Sequence, residues 1–291
     1  MQIAYNFAIK TTDNNKRQIE IIRESLKILS NISSKSFTAG LSIKIIKRIE
    51  ELTGVIDPYK EEKQKSNEIM LDLEKSMNEL INSYKNDFER FYKIILLTIF
   101  GNIIDFATGG HHFELSRESM NQQMIDVLEL KPKINSSKKF YNLIKTGNKN
   151  IMYLVDNAGE IVCDKFLIKN LVNYGNKVII VVKNKPLAND VTTEDIKYMD
   201  LSQINGVRII EGERFCLGFL FNNVPSIFKH ELQTTDILIS KGQNHFETIM
   251  KYQNEFLDKD IIFILRVKCD PLAKFLGVKK GDNIIKYIKF N

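Results

Sequence analysis

The chain is predicted to adopt an α/β fold: a mostly parallel, doubly wound sheet in a three-layer αβα sandwich, preceded by an α-helical domain. Three observations predict it. Apolar residues recur at helical spacing from about Lys16 to Ile144, with little β-branched alternation. From Asn148 onward, short apolar β-rich runs alternate with helical stretches, as parallel strands buried on both faces require. Finally, each polar cluster of chemical interest falls just after one of those runs.

In chain order, Ile19, Ile22, Leu26 and Leu29 are spaced by three and four and predict a first amphipathic helix. Thr53-Gly54 and Asp57-Pro58 read as a helix stop and a turn, after which a long charged helix starts near Tyr59 and carries Ile69, Leu73, Met77 and Leu80 on one face. Another helix runs from Asp87 to about Phe106; it is apolar over Ile94 to Ile104, which predicts a central place, and Gly109-Gly110 breaks it. Ser136-Ser137-Lys138-Lys139 and Thr146-Gly147-Asn148 read as hinge material, so the boundary falls near residues 132 to 148. This divides the chain into a helical domain, 1–140, and an α/β domain, 141–291. Five strands are expected, at Ile151 to Val155, Val178 to Val182, Val207 to Ile210, Ile237 to Ile239 and Ile261 to Val267.

Composition excludes several classes. The net charge of +6 is the difference between 42 basic and 36 acidic residues spread without a run of either sign, which does not point to nucleic acid. The longest apolar runs are about five residues, such as Ile261 to Leu265, against the roughly 18 a membrane span needs. Met1 to Lys10 lacks a charged-then-apolar leader. A soluble, cytoplasmic protein without membrane or nucleic-acid partners is expected, its oligomeric state open. Cys163, Cys216 and Cys269 form no C-x-x-C pair, so neither a disulfide framework nor a zinc site is indicated, and each is expected to be a small buried hydrophobe.

The chemistry is expected where strands end. Asp156-Asn157 with Glu160 follow the first run; Lys183 to Asp190, then Thr192 with Asp195 in a capping-box spacing, follow the second. Ser240-Lys241-Gly242-Gln243-Asn244-His245 follow the fourth and Arg266-Val267-Lys268-Cys269-Asp270 the fifth. In a parallel sheet such loops share one rim and can converge on one pocket. Asp156, Asn157 and Asp190 offer three oxygen ligands for a hard cation, with room for water and a phosphate oxygen. Lys241 and Lys268 would neutralise other phosphate oxygens, and the first amides of the helix near Glu160 would add donors. Each has an ordinary alternative: Asx residues at strand ends cap helices, Gly and Asn near Lys241 make turns, and Lys268 can be a surface lysine. His111, His112 and His230 read as loop or helix-surface residues.

With these residues, the chain resembles the DUF89 family of metal-dependent damage-control phosphatases, the acidic-residue-methyltransferase-like domain, in its compact prokaryotic branch. The resemblance covers nearly the whole chain. Its segments are Leu52 to Lys60, Lys65-Ser66-Asn67, Gly101 to Phe106, Asp156 to Val162, Asn189 to Thr192, Lys241-Gly242-Gln243 and Arg266 to Cys269, in the family's order. It implies one divalent cation (Mn²⁺, Mg²⁺, Co²⁺ or Ni²⁺) on Asp156, Asn157 and Asp190, with Asp156, Asp190 and Lys268 as catalytic residues. It further implies that Asn157, Glu160, Lys241, Gly242, Gln243 and Lys268 bind a small phosphorylated metabolite such as a sugar phosphate. Two departures stand out. The branch's N-terminal cysteine pair has no counterpart around Thr11 to Asn15, and Gln243 is followed by Asn244-His245 where the family has Gly-Asn, leaving the role of His245 open.

The competing readings are a nucleotide- or S-adenosylmethionine-binding transferase and a non-catalytic ligand-binding protein. The first lacks its phosphate loop, because the loop after Val155 carries only Gly159 and no Gly-x-Gly-x-x-Gly. A haloacid-dehalogenase-type phosphatase would need an aspartate two residues after Asp156, where Ala158 stands. Direct attack by water and an aspartyl-phosphate through Asp156 or Asp190 both remain open.

Overall fold

A computed structural model of the chain describes residues 1–31, 38–103, 117–197, 199–214 and 224–291. Six helices come first: α1 (Gln2–Thr11), α2 (Asn15–Ser30), α3 (Thr38–Thr53), α4 (Lys60–Ser83), α5 (Asp87–Ile103) and α6 (Arg117–Leu128). Local chemistry sets several boundaries. Asn14 caps α2 by accepting from the amides of Lys16 and Arg17, and α4 begins just after Pro58-Tyr59 with Glu61 and Glu62 in its first turn, where the helix dipole favours carboxylates. After β1 (Ile134–Asn135) and α7 (Ser137–Ile144), the α/β pattern runs β2 (Asn150–Leu154), α8 (Glu160–Asn173), β3 (Lys177–Lys183), α9 (Thr193–Ile196), β4 (Val207–Gly212) and α10 (Ser226–Thr234). It closes with β5 (Ile237–Lys241), α11 (Gln243–Lys251), β6 (Asp260–Arg266), α12 (Asp270–Leu276) and β7 (Asn283–Lys289).

The seven strands are ordered β1-β7-β6-β5-β2-β3-β4, all parallel except the β6–β7 pair. Alternate residues of each central strand enter opposite cores. Ile151, Tyr153, Ile180, Ile239 and Ile264 pack with α4 to α8 on one face. Met152, Leu154, Val181, Leu238 and Phe263 pack with α10, α11 and α12 on the other. Burial on both sides is why these strands read as unbroken apolar runs. A third cluster holds α1, α2 and α3 together around Phe7, Ile21, Ile46 and Tyr59 and reaches Leu187, beyond β3.

The α/β reading holds, and the differences have physical causes. Two strands were not expected: β1 is only two residues long, and Lys286 and Lys289 interrupt the apolar run of β7, an edge-side antiparallel strand that is only partly buried. Helix α1 was also not expected; its inward face is just Ala4, Phe7 and Ala8. On α2 the buried residues are Ile21 and Ser25, while Ile19 and Leu26 are exposed, so the packed face is turned from the one the spacing suggested. The supposed hinge at Ser136 to Lys139 instead begins α7, and Ser136 donates to Ile285 beside the β1–β7 pair. Gly109-Gly110, His111, His112 and Cys216 lie outside the described residues. His230 is exposed on α10; Cys163 is buried and Cys269 only half-buried. No helix among the described residues is long and apolar enough to cross a membrane.

Candidate active site

Strand β2 pairs with β3 on one side and β5 on the other, so the chain's direction of travel across the sheet reverses there. At such a switch point the crossovers leave on opposite faces and a crevice opens beyond the carboxyl ends of the strands. Asp156 follows β2 and Gly242 follows β5, placing both at that crevice.

The loop after β3 folds back onto the loop after β2. Ala158 donates to the Asn189 carbonyl at 2.9 Å, Val191 donates to the Asp156 carbonyl at 2.9 Å, and Asn157 and Asp190 form an antiparallel bridge. Backbone hydrogen bonding therefore sets Asp156, Asn157 and Asp190 side by side. All three line one cavity of about 770 Å³ together with Gln243 and Lys268.

The surroundings aim these side chains. Gly242 has φ 77°, and a β-carbon there would lie 2.0 Å from Asp156 Oδ2; the glycine lets the β5 loop close over that carboxylate. The Asn157 amide nitrogen donates to Asp156 Oδ2 at 3.0 Å and to Glu160 Oε2 at 3.2 Å, which leaves the carboxamide oxygen as the atom to meet a cation. Gln243 accepts from the Lys268 backbone N–H at 2.9 Å and donates to Glu247 and to Cys269 Sγ, tying the start of α11 to the loop after β6. Lys183, the last residue of β3, is buried with its ammonium 3.9 Å from Asp190 Oδ2. Sequence reasoning noted Lys183 but gave it no role; its position at the very end of a buried strand was the available signal.

Two expected substrate contacts are placed elsewhere. Glu160 and Lys241 are 1 % and 0 % exposed, and they pair with each other at 2.5 Å beneath the site rather than facing the cavity. Lys241 also donates to Asp164 Oδ1 at 2.7 Å and to the Thr98 carbonyl at 3.2 Å. The side chain of this last β5 residue points to the face covered by α5 and α8, so it meets carboxylates of α8 instead of solvent. Burial works against the Lys241 ammonium, but the Asp164 and Glu160 carboxylates outweigh it and hold its pKa above the usual lysine value. Burial raises the Asp164 carboxyl to about 6 against the pull of Lys241. The first loop amides are also less available than expected, since the Ala158 and Gly159 N–H groups are taken by Asn189 and Asn67.

His245 is buried, and its Nδ1 lies 2.9 Å from the Lys241 carbonyl, an acceptor that requires the proton on Nδ1. Burial, and then the nearby Lys183 charge, lower its pKa to about 3, so the ring is neutral.

The helical half braces the site from α4. The Asn67 side chain accepts from the Gly159 N–H at 2.6 Å and donates to Asp195 at 3.2 Å, joining the loops after β2 and β3. Asp195 in turn closes the capping box on Thr192, as its spacing predicted, and Lys63 bridges Asp57 and Asp195 at 3.0 and 3.6 Å. Asp105 lies outside the described residues.

Among the described residues no three His, Cys, Asp or Glu side chains group as metal ligands; the candidate donors are two carboxylates and a carboxamide. All three are oxygen donors, which suits hard and borderline divalent ions.

Residues 1–284 match the family model of the damage-control phosphatase ARMT1-like domain. The chain belongs to this family. Within it, a damage-control phosphatase of Pyrococcus horikoshii is 31 % identical over 281 residues, covering 96 % of this chain and 92 % of that protein. A damage-control phosphatase of Archaeoglobus fulgidus is 29 % identical over 288 residues, covering 98 % and 95 %. An uncharacterized protein of Methanocaldococcus jannaschii is 31 % identical over 283 residues, covering 96 % and 89 %. The crystal structure of a DUF89 family protein from Pyrococcus horikoshii superposes with a TM-score of 0.81 at 27 % identity, covering 97 % of this chain and 93 % of that one.

Proposed function

We propose that this ARMT1-like protein is a cytoplasmic, divalent-metal-dependent phosphomonoester hydrolase acting on small phosphometabolites. The observation that carries the reading is the backbone bridge that sets Asp156, Asn157 and Asp190 together at the switch-point crevice, in a family whose named relatives are damage-control phosphatases. In this reading Asp156, Asn157 and Asp190 hold the ion. A divalent cation bound there supplies charge neutralisation and water activation. Asp156 is kept in place by Gly242 and by the Asn157 amide, and Lys183 offsets the charge of Asp190 from within the protein. Lys268, its backbone pinned by Gln243, supplies a positive charge to a phosphate oxygen. Helix α11 starts at the cavity, with Gln243 and Asn244 in its lining, so its first amides stand where a phosphate would be met. Glu160 and Lys241 act from beneath by fixing α8 and the loop before it.

The test is phosphate release with Mn²⁺, Co²⁺, Ni²⁺ and Mg²⁺ across a panel of phosphomonoesters. We expect Asp156→Asn and Asp190→Asn each to lower kcat by about 10²–10³-fold and Lys268→Ala to do the same, with circular dichroism unchanged. Turnover equal to wild type in all three variants would remove the assignment.

A further inference from the structure

On the reading that Asp190 holds the ion, we infer that Arg214 is a positioning residue for the metal site: it ties the segment carrying Asp190 to the turn between α3 and α4 and so sets the ion's affinity. Arg214 lies two residues beyond β4 and is 8 % exposed. A buried guanidinium must have its donors met, and here every nitrogen is used. Nε donates to the Pro186 carbonyl in the loop after β3, Nη1 to Glu50 Oε2 of α3 at 2.6 Å, and Nη2 to the Ile56 carbonyl of the α3–α4 turn at 3.1 Å. One side chain thus joins segments that are far apart in sequence.

Pro186 stands just ahead of Asp190, and the hold is passed along the loop. Leu187 is buried in the apolar cluster of α1, α2 and α3, and its carbonyl accepts from the Asp190 N–H at 3.1 Å. Within that turn Ala188 has φ 48°, a left-handed conformation that an alanine keeps only when its surroundings impose it. Both flanks supply the constraint: Arg214 and the Leu187 contacts on one side, the Asn157–Asp190 bridge on the other. Further on, Lys63 joins Asp57 of the same α3–α4 turn to Asp195 at 3.0 and 3.6 Å. The Asp190 segment is therefore held at both ends from one turn of the helical half. Lysine could not do the work of Arg214, because a single ammonium lacks the planar fork that reaches two carbonyls and a carboxylate at once.

The experiment measures Mn²⁺ binding to the metal-free full chain by calorimetry, beside phosphate release as Mn²⁺ is varied. Groups that orient metal ligands govern affinity by about 10–100-fold, so Arg214→Lys is expected to raise the Mn²⁺ Kd by about tenfold or more. At saturating Mn²⁺ its kcat is expected to stay within about threefold of wild type, the split that separates ion positioning from a general loss of structure. Glu50→Gln, at a partly exposed side chain, is expected to raise Kd severalfold, and it decides alone if a melting curve shows Arg214→Lys unfolded. In either background Ala188→Gly, which adopts φ 48° without strain, is expected to recover part of the lost affinity. A lower Tm with unchanged Kd, or a loss that Ala188→Gly makes no smaller, would overturn the inference and leave the phosphatase reading intact. If Mn²⁺ binds and weakens as expected in the variants but no phosphomonoester is hydrolysed, the positioning role stands and the phosphatase reading falls. If the wild type binds no Mn²⁺, or Asp190→Asn binds it as tightly, both fall.

Discussion

A β-carbon on residue 242 would overlap Asp156 Oδ2, and φ 77° at this position already excludes an unstrained alanine. Gly242→Ala is therefore expected to cost about 1–3 kcal/mol in stability and to lower metal-dependent phosphate release by at least about tenfold, because the carboxylate must turn away. Thermal melting and kcat on the same preparation measure both effects. Beneath the site, Lys241→Met would leave Glu160 and Asp164 facing each other without a cation. The expected loss is about 3–5 kcal/mol by urea unfolding, the scale for breaking a buried ion pair from one side. His245 has a pH signature. Its folded pKa of about 3 lies below the ordinary 6.5, so its contribution is complete above pH 6.5 and is lost as pH falls towards 3. Asp164, raised from 3.8 to about 6, contributes in the opposite sense: its share is present at low pH and fades as pH rises through 6. The Tm of His245→Gln should therefore fall less steeply below pH 6.5 than that of the wild type.

At the scale of elements, the site depends on how α4 meets the loops after β2 and β3. Asn67→Ala strands the Gly159 N–H and removes a donor from Asp195. We expect a loss of about 1–3 kcal/mol in urea unfolding together with a fall in kcat, since both loops carry metal-binding candidates. Local signals were readable here: the start of α4 after Asp57-Pro58 and the Thr192–Asp195 capping box are set by neighbours in sequence, and both are found where their patterns place them. The packed face of α2 was not readable. Several apolar stripes compete on that helix, and only contact with α1 and α3 selects the one through Ile21.

For the whole molecule, one apolar cluster joins Met70, Phe91, Ile95 and Phe100 of the helical half to Ile151, Tyr153, Ile180 and Ile264 of the sheet. A fragment spanning residues 141–291 would uncover that face, and β7 would lose its partner β1. We expect this fragment to bind 8-anilinonaphthalene-1-sulfonate and to give poorly dispersed amide spectra, whereas the full chain does neither.

The α/β class, the central parallel strands and the order of the strand-end clusters are legible from the chain alone. These follow from periodicity and turn chemistry, which act over a few residues. The chain also offered Asp156, Asn157 and Asp190, among other strand-end residues, as candidate ligands, because an α/β sheet sends every such loop to one rim. Which polar residues face the cavity is not written in local pattern; it follows from long-range packing. Lys241 and Gln243 are two residues apart, yet one is fully buried against α8 and the other lines the site; the direction of each side chain depends on which helix covers which face of the sheet, and that is fixed by contacts distant in sequence.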